Sequence, residues 1–89
     1  MIILICDDDK NCLVNEEKYI RDNTDAVPEC FLSGKELLKR LSAGTENIAA
    51  VFMDIELDNS ENGIMVAEQI SNLYPDIRII FLTAYSLKY

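Results

Sequence analysis

The chain has 89 residues, 49% hydrophobic and 27% charged, a mix that suits one globular domain with a thin core. Asp plus Glu number 16 and Lys plus Arg number 8, for a net charge of −8, which argues against a surface gripping phosphate backbones and favours cations or basic protein surfaces as partners. Histidine is absent, and Cys6, Cys12 and Cys30 form no Cys-x-x-Cys pair, so a zinc site and a disulfide scaffold are disfavoured and the thiols read as reduced and buried.

Met1 is followed by a short apolar run, Ile2 to Cys6, and then at once by Asp7, Asp8 and Asp9. The run is too short for a signal peptide or a membrane span, so the chain is expected to be cytoplasmic, with no membrane partner. Its continuous β-favouring character predicts a strand buried on both faces. Asp9 is placed to cap a helix over roughly 10–22, with Leu13 and Ile20 on one face. Residues 26–32 read as a second strand, and Pro28 near its start suits a sheet edge.

"SGKE" follows, with Ser33 three residues before Glu36 as a capping box. Leu37, Leu38 and Leu41 form the apolar face of that helix, and Gly44 ends it. "IAAVFM", residues 48–53, is another apolar run that stops at an acid, Asp54. "ELDNSENG" reads as a loop. A helix is predicted over 63–73, with Ile64, Ala67 and Ile70 on its buried side and Pro75 beyond its end. "IRIIFL", residues 77–82, is the fourth strand.

The order β-α-β-α-β-α-β predicts an α/β fold with a parallel sheet and helices on both faces. Crossovers are right-handed, and ligands in such sheets sit beyond the carboxyl ends of the strands. Three strands end in oxygen-bearing side chains: Asp7 and Asp8, Asp54, and Thr83. If the first, third and fourth strands are neighbours in that order, they lie about 4.8 Å apart. Asp8 and Asp54 then reach one small cation, since Mg²⁺ binds oxygen at about 2.1 Å. Without a cation the carboxylates repel, and a divalent ion removes that conflict. An all-oxygen donor set favours Mg²⁺ or Mn²⁺. The same geometry suits Asp54 as a nucleophile toward phosphorus, with Thr83 hydrogen-bonding a phosphoryl oxygen. Acids at strand ends also serve as helix caps, the role assigned to Asp9.

"ILICDDD", "VFMDIEL" followed by "NG", and "IIFLTAY" together resemble the receiver domain of two-component response regulators. "MDIEL" and "FLTAY" are most similar to receivers joined to a LytTR-type DNA-binding domain. The resemblance implies a flavodoxin-like, doubly wound, three-layer α/β/α fold with strand order 2-1-3-4 over the segments present. It implies that Asp54 accepts a phosphoryl group from a histidine kinase. Asp8 would bind Mg²⁺ directly with Asp7 assisting, and Glu56 would offer its backbone carbonyl to the metal. Thr83 would be the switch hydroxyl, and the Ala84 backbone N–H would lie near the phosphate. The domain would be a phosphoacceptor and no enzyme beyond its own phosphorylation and dephosphorylation.

Two departures from the family pattern stand out. Asp58 occupies the place of a common proline, in a loop about one residue longer. The chain also stops at Tyr89, before the family's fourth helix, fifth strand with its lysine, and fifth helix. Residues 1–89 are therefore expected to be a receiver lacking its C-terminal part, with DNA contacted only through a missing transcriptional output domain. An uncovered "IRIIFL" edge is a pairing hazard, so the chain is expected to self-associate. The competing reading is a pseudo-receiver or interaction fragment that never turns over phosphate. A Mg²⁺-dependent phosphatase with Asp54 as nucleophile and Glu56 as general acid is disfavoured, because the further acids and lysine it needs have no room.

Overall fold

The computed structural model describes residues 1–55 and 62–82. Its elements alternate as the apolar runs and helix-period segments do. They are β1 (Ile2–Cys6), α1 (Lys10–Asn23), β2 (Val27–Phe31), α2 (Gly34–Ser42), β3 (Ile48–Asp54), α3 (Gly63–Leu73) and β4 (Arg78–Leu82). The four strands are parallel and ordered β2-β1-β3-β4, the expected flavodoxin-like α/β arrangement. Pro28 sits on β2, which pairs with β1 alone among the described strands. A residue without an N–H is tolerated there because the outer edge needs no donor.

Each helix starts at a side-chain cap. Asp9 accepts from the Asn11 and Cys12 N–H groups at 2.9 and 3.3 Å. Ser33 Oγ accepts from the Glu36 N–H at 3.2 Å, and the Asn62 side chain accepts from the Ile64 N–H at 2.8 Å. These bonds satisfy donors that the first turn leaves without an intrahelical partner. Past α2, Gly44 takes a φ of 140°, a conformation open to glycine and poor for other residues. Its N–H donates to the Leu41 carbonyl at 3.1 Å and closes the helix.

Side chains alternate across the strands, and two apolar clusters result. Leu4, Cys6, Val51 and Met53 point to one face, where they meet Leu37 and Leu41 of α2 and Val66 and Ile70 of α3. Ile3 and Ile5 point to the other, where they meet Leu13 and Ile20 of α1, with Ala26. One expectation fails here. Ile64 is 48% exposed, and Val66 joins Ala67 and Ile70 on the buried stripe of α3. The helix begins at Gly63, so a 3.6-residue period carries residues 63, 66, 67 and 70 inward and turns residue 64 about 100° away. Among the described residues, no helix is long and apolar enough to cross a membrane.

Candidate metal centre

The register of the two central strands builds the site. Cys6 of β1 stands opposite Met53 of β3, so the next residues, Asp7 and Asp54, leave the same end of neighbouring strands. Alternation puts Asp7 on the face of Ile3 and Ile5, and Asp54 on the face of Ala50 and Phe52. Both acids thus belong to the α1 side of the sheet. Asp8 follows in the turn before α1. One carboxylate oxygen from each of Asp7, Asp8 and Asp54 lies within 4.8 Å of the other two.

Backbone contacts hold the pieces in place. The Asp7 N–H donates to the Phe31 carbonyl at 3.1 Å, extending the β1 to β2 pairing. Asp7 Oδ1 accepts from the Asp9 N–H at 2.9 Å, and Asp7 is only 5% exposed. Asp9 is committed to the α1 cap and stands outside the trio. Gly63 sets the other side. A Cβ at that position would overlap the Asp54 backbone carbonyl, so the start of α3 reaches β3 this closely only with glycine. The Gly63 N–H also donates to the Ile55 carbonyl at 2.9 Å.

The donor set suits a hard divalent cation. Octahedral Mg²⁺ holds oxygens at about 2.1 Å, hence roughly 3 Å apart on adjacent positions and 4 Å on opposite ones. Asp7, Asp8 and Asp54 supply oxygen donors of that kind within 4.8 Å of one another, and among the described residues no His or Cys joins them. Of the other expected site residues, Glu56, Thr83 and Ala84 lie outside the described residues. Leu82, the residue before Thr83, pairs with Asp54 across β3 and β4.

One acid of the site is absent from the sequence reading. Glu16 of α1 is buried at 2% exposure. Its spacing from Leu13 and Ile20, three and four residues, put it in the apolar stripe of α1, and that misfit was the available signal. Burial, contact with Asp7 and the charges of Asp7, Asp54 and Asp9 push its carboxyl up to about 9 from 4.5.

Residues 3–88 match the family model for the response regulator receiver domain. The chain belongs to that family, and is a receiver domain of a two-component response regulator. Solved structures agree. TrrA of Thermotoga maritima, in complex with Mg²⁺ and beryllium fluoride, is 32% identical with a TM-score of 0.84, over 96% of this chain and 70% of that one. TrrA in complex with the histidine kinase ThkA is 31% identical with a TM-score of 0.82, over 94% of this chain and 69% of that one. The BeF₃-activated receiver domain of DrrB is 26% identical with a TM-score of 0.75, over 92% of this chain. The chain spans 64% of that DrrB receiver domain and 35% of the longer DrrB response regulator chain of Thermotoga maritima.

Proposed function

We propose that Asp54 accepts a phosphoryl group from a histidine kinase, with Mg²⁺ held by Asp7, Asp8 and Asp54. The observation that carries this reading is the convergence of those three carboxylates at the carboxyl end of the two central strands. An Asp54 oxygen attacks phosphorus, an O–P bond forms, and the P–N bond to the donor imidazole breaks with its electron pair left on nitrogen. A bound Mg²⁺ offsets the charge on the phosphoryl oxygens. Asp7, Asp8 and Asp54 would hold the cation, and the Asp9 N–H bond to Asp7 keeps that carboxylate oriented.

In this reading Glu56 contributes its carbonyl to the metal, Thr83 is the switch hydroxyl and the Ala84 N–H faces the phosphate. The chain acts as a cytoplasmic signalling domain and turns over no external substrate. Its output is transcriptional, through a LytTR-type DNA-binding domain. The Mg²⁺ and beryllium fluoride on TrrA and the kinase bound to it support the phosphoacceptor role. Self-association of the 89-residue chain runs through β4, where Ile80 and Phe81 are 39% and 42% exposed. A monomer by sedimentation at micromolar concentration overturns that last point.

The test of the main reading is direct. With Mg²⁺ and acetyl phosphate, the chain gains an acid-stable, base-labile adduct of about 80 Da, as an aspartyl phosphate requires. Asp54→Asn abolishes it. A wild-type chain that never gains the adduct, or an Asn variant that still does, overturns the reading. Mg²⁺ binding with no adduct favours a non-phosphorylated interaction domain instead.

A further inference from the structure

Asn62 is the one asparagine of the chain with glycine after it. In such a pair the glycine nitrogen, with no Cβ beside it to crowd the approach, can attack the asparagine side-chain amide and close a five-membered ring. Closure needs a free side-chain amide, a glycine nitrogen able to lose its proton, and a ψ that brings that nitrogen round to the side chain. The folded chain withholds all of these. Asn62 Oδ1 accepts from the Ile64 N–H at 2.8 Å. The Gly63 N–H donates to the Ile55 carbonyl at 2.9 Å. Asn62 has a ψ of 121°, which swings the Gly63 nitrogen away from the Cα–Cβ bond it must eclipse. Capping α3 does not need this amide, because Ser or Asp caps a helix as well. Asn62 is exposed, so water reaches the pair.

We propose that Asn62–Gly63 is a deamidation site, latched by the α3 cap and released when that cap opens. On opening, the deprotonated Gly63 nitrogen attacks Asn62 Cγ. An N–C bond forms, the bond from Cγ to the side-chain nitrogen breaks, and that nitrogen leaves as ammonia after taking up a proton. Water then opens the cyclic imide at either carbonyl, giving aspartate or its β-linked isomer, isoaspartate, at position 62. The two products differ in what they do to the fold. Aspartate keeps the main chain and a capping oxygen. Isoaspartate routes the main chain through the former side chain and lengthens it by one carbon just before Gly63. That junction has no slack, since even a Cβ on Gly63 would overlap the Asp54 carbonyl. The isomer therefore parts the start of α3 from the end of β3, and a chain that has reacted this way no longer closes its latch.

The experiment incubates the 89-residue chain in mildly alkaline buffer, folded and in urea, and follows position 62 by tandem mass spectrometry. A methyltransferase specific for isoaspartate counts the isomer. Asn62 is expected to deamidate about tenfold or more slowly in the folded chain than in urea, the factor that two modest hydrogen bonds supply. Asn62→Ser keeps a cap and is expected to form no isoaspartate at position 62. The isoaspartate form, separated by ion exchange, is expected to melt below the unmodified chain, while Asn62→Asp melts close to wild type. Equal rates in buffer and urea overturn the latch, and no reaction at position 62 in urea overturns the site. An isoaspartate form that melts like the unmodified chain, or an Asn62→Asp variant that melts as low as the isomer, overturns the parting of α3 from β3.

Discussion

The two faces of the sheet are made by the same strands and do different work. On one face, Leu4, Cys6, Val51 and Met53 meet α2 and α3 in a cluster whose buried members are all apolar. On the other, Ile3 and Ile5 meet α1, and that face carries the buried acids Asp7 and Glu16. The register explains the division: each strand sends alternate residues to opposite sides, so a single run such as IILICD supplies core to one face and a ligand to the other. Stability comes mainly from apolar burial, and it is concentrated on the face away from the acids. The acid-bearing face keeps less apolar cover. The difference teaches that the site is supported from behind, through the sheet.

That comparison breaks most visibly in the core. Leu41→Ala, at 1% exposure on the α2 and α3 face, is expected to cost about 2–5 kcal/mol of folding free energy. Leu13→Ala, at 9% exposure on the α1 face, is expected to cost less, since that side chain is less deeply buried. Urea denaturation of both variants checks the order, and a reversed order would mean that α1 carries the larger share of the core.

Gly63→Ala probes the link between the faces, because α3 packs on one and its first residue touches the Asp54 carbonyl. The added methyl must push α3 or the end of β3 aside, a strain of about 1–3 kcal/mol. Asp54 moves with it, so Mn²⁺ affinity is expected to fall together with the Tm. A drop in Tm with affinity unchanged would show that the Asp54 side chain is held independently of α3.

The smallest expected effect concerns Cys30, beside the α1 cluster. Burial and then its bond to Glu17, Sγ to Oε2 at 3.3 Å, push its thiol up to about 12 from 9.0. The folded chain therefore holds this proton longer than the unfolded chain does. The stability it contributes is complete below pH 9 and is lost as pH rises from 9 toward 12. Iodoacetamide is expected to modify Cys30 in the folded chain on the order of a hundredfold more slowly than in urea at pH 9, where the thiolate is the reactive form. Equal rates would show that this edge of the α1 face is open.

Much of this was open to reading before any coordinates. The switch between β-favouring runs and 3.6-residue periods marked all seven elements of the described residues, because local sterics and patterning act over a few residues. Pro28 announced an edge strand, and Asp9 and Ser33 announced their helices, since a cap needs only its own first turn. Ile64 was misread although the bounds of its helix were right, because 64, 67 and 70 follow a spacing of three, whereas the 3.6-residue period puts Val66 beside Ala67 and Ile70 on the buried stripe. Glu16 was missed because an isolated Glu on a helix is ordinary, although its spacing from Leu13 and Ile20 set it in the apolar stripe of α1.

The sequence alone therefore determined the elements, the parallel α/β class and the identity of the acids at the strand ends. Tertiary structure decided which acids meet. Asp7, Asp8 and Asp54 share one site because β1 and β3 are neighbours in a register that sets Cys6 against Met53. Asp9 stays outside because its Oδ1 caps the helix, and Glu16 comes close because α1 lies on the face those acids occupy. Strand order, register and helix docking are long-range properties. A shift of one residue in any of them would turn a different side chain toward the site.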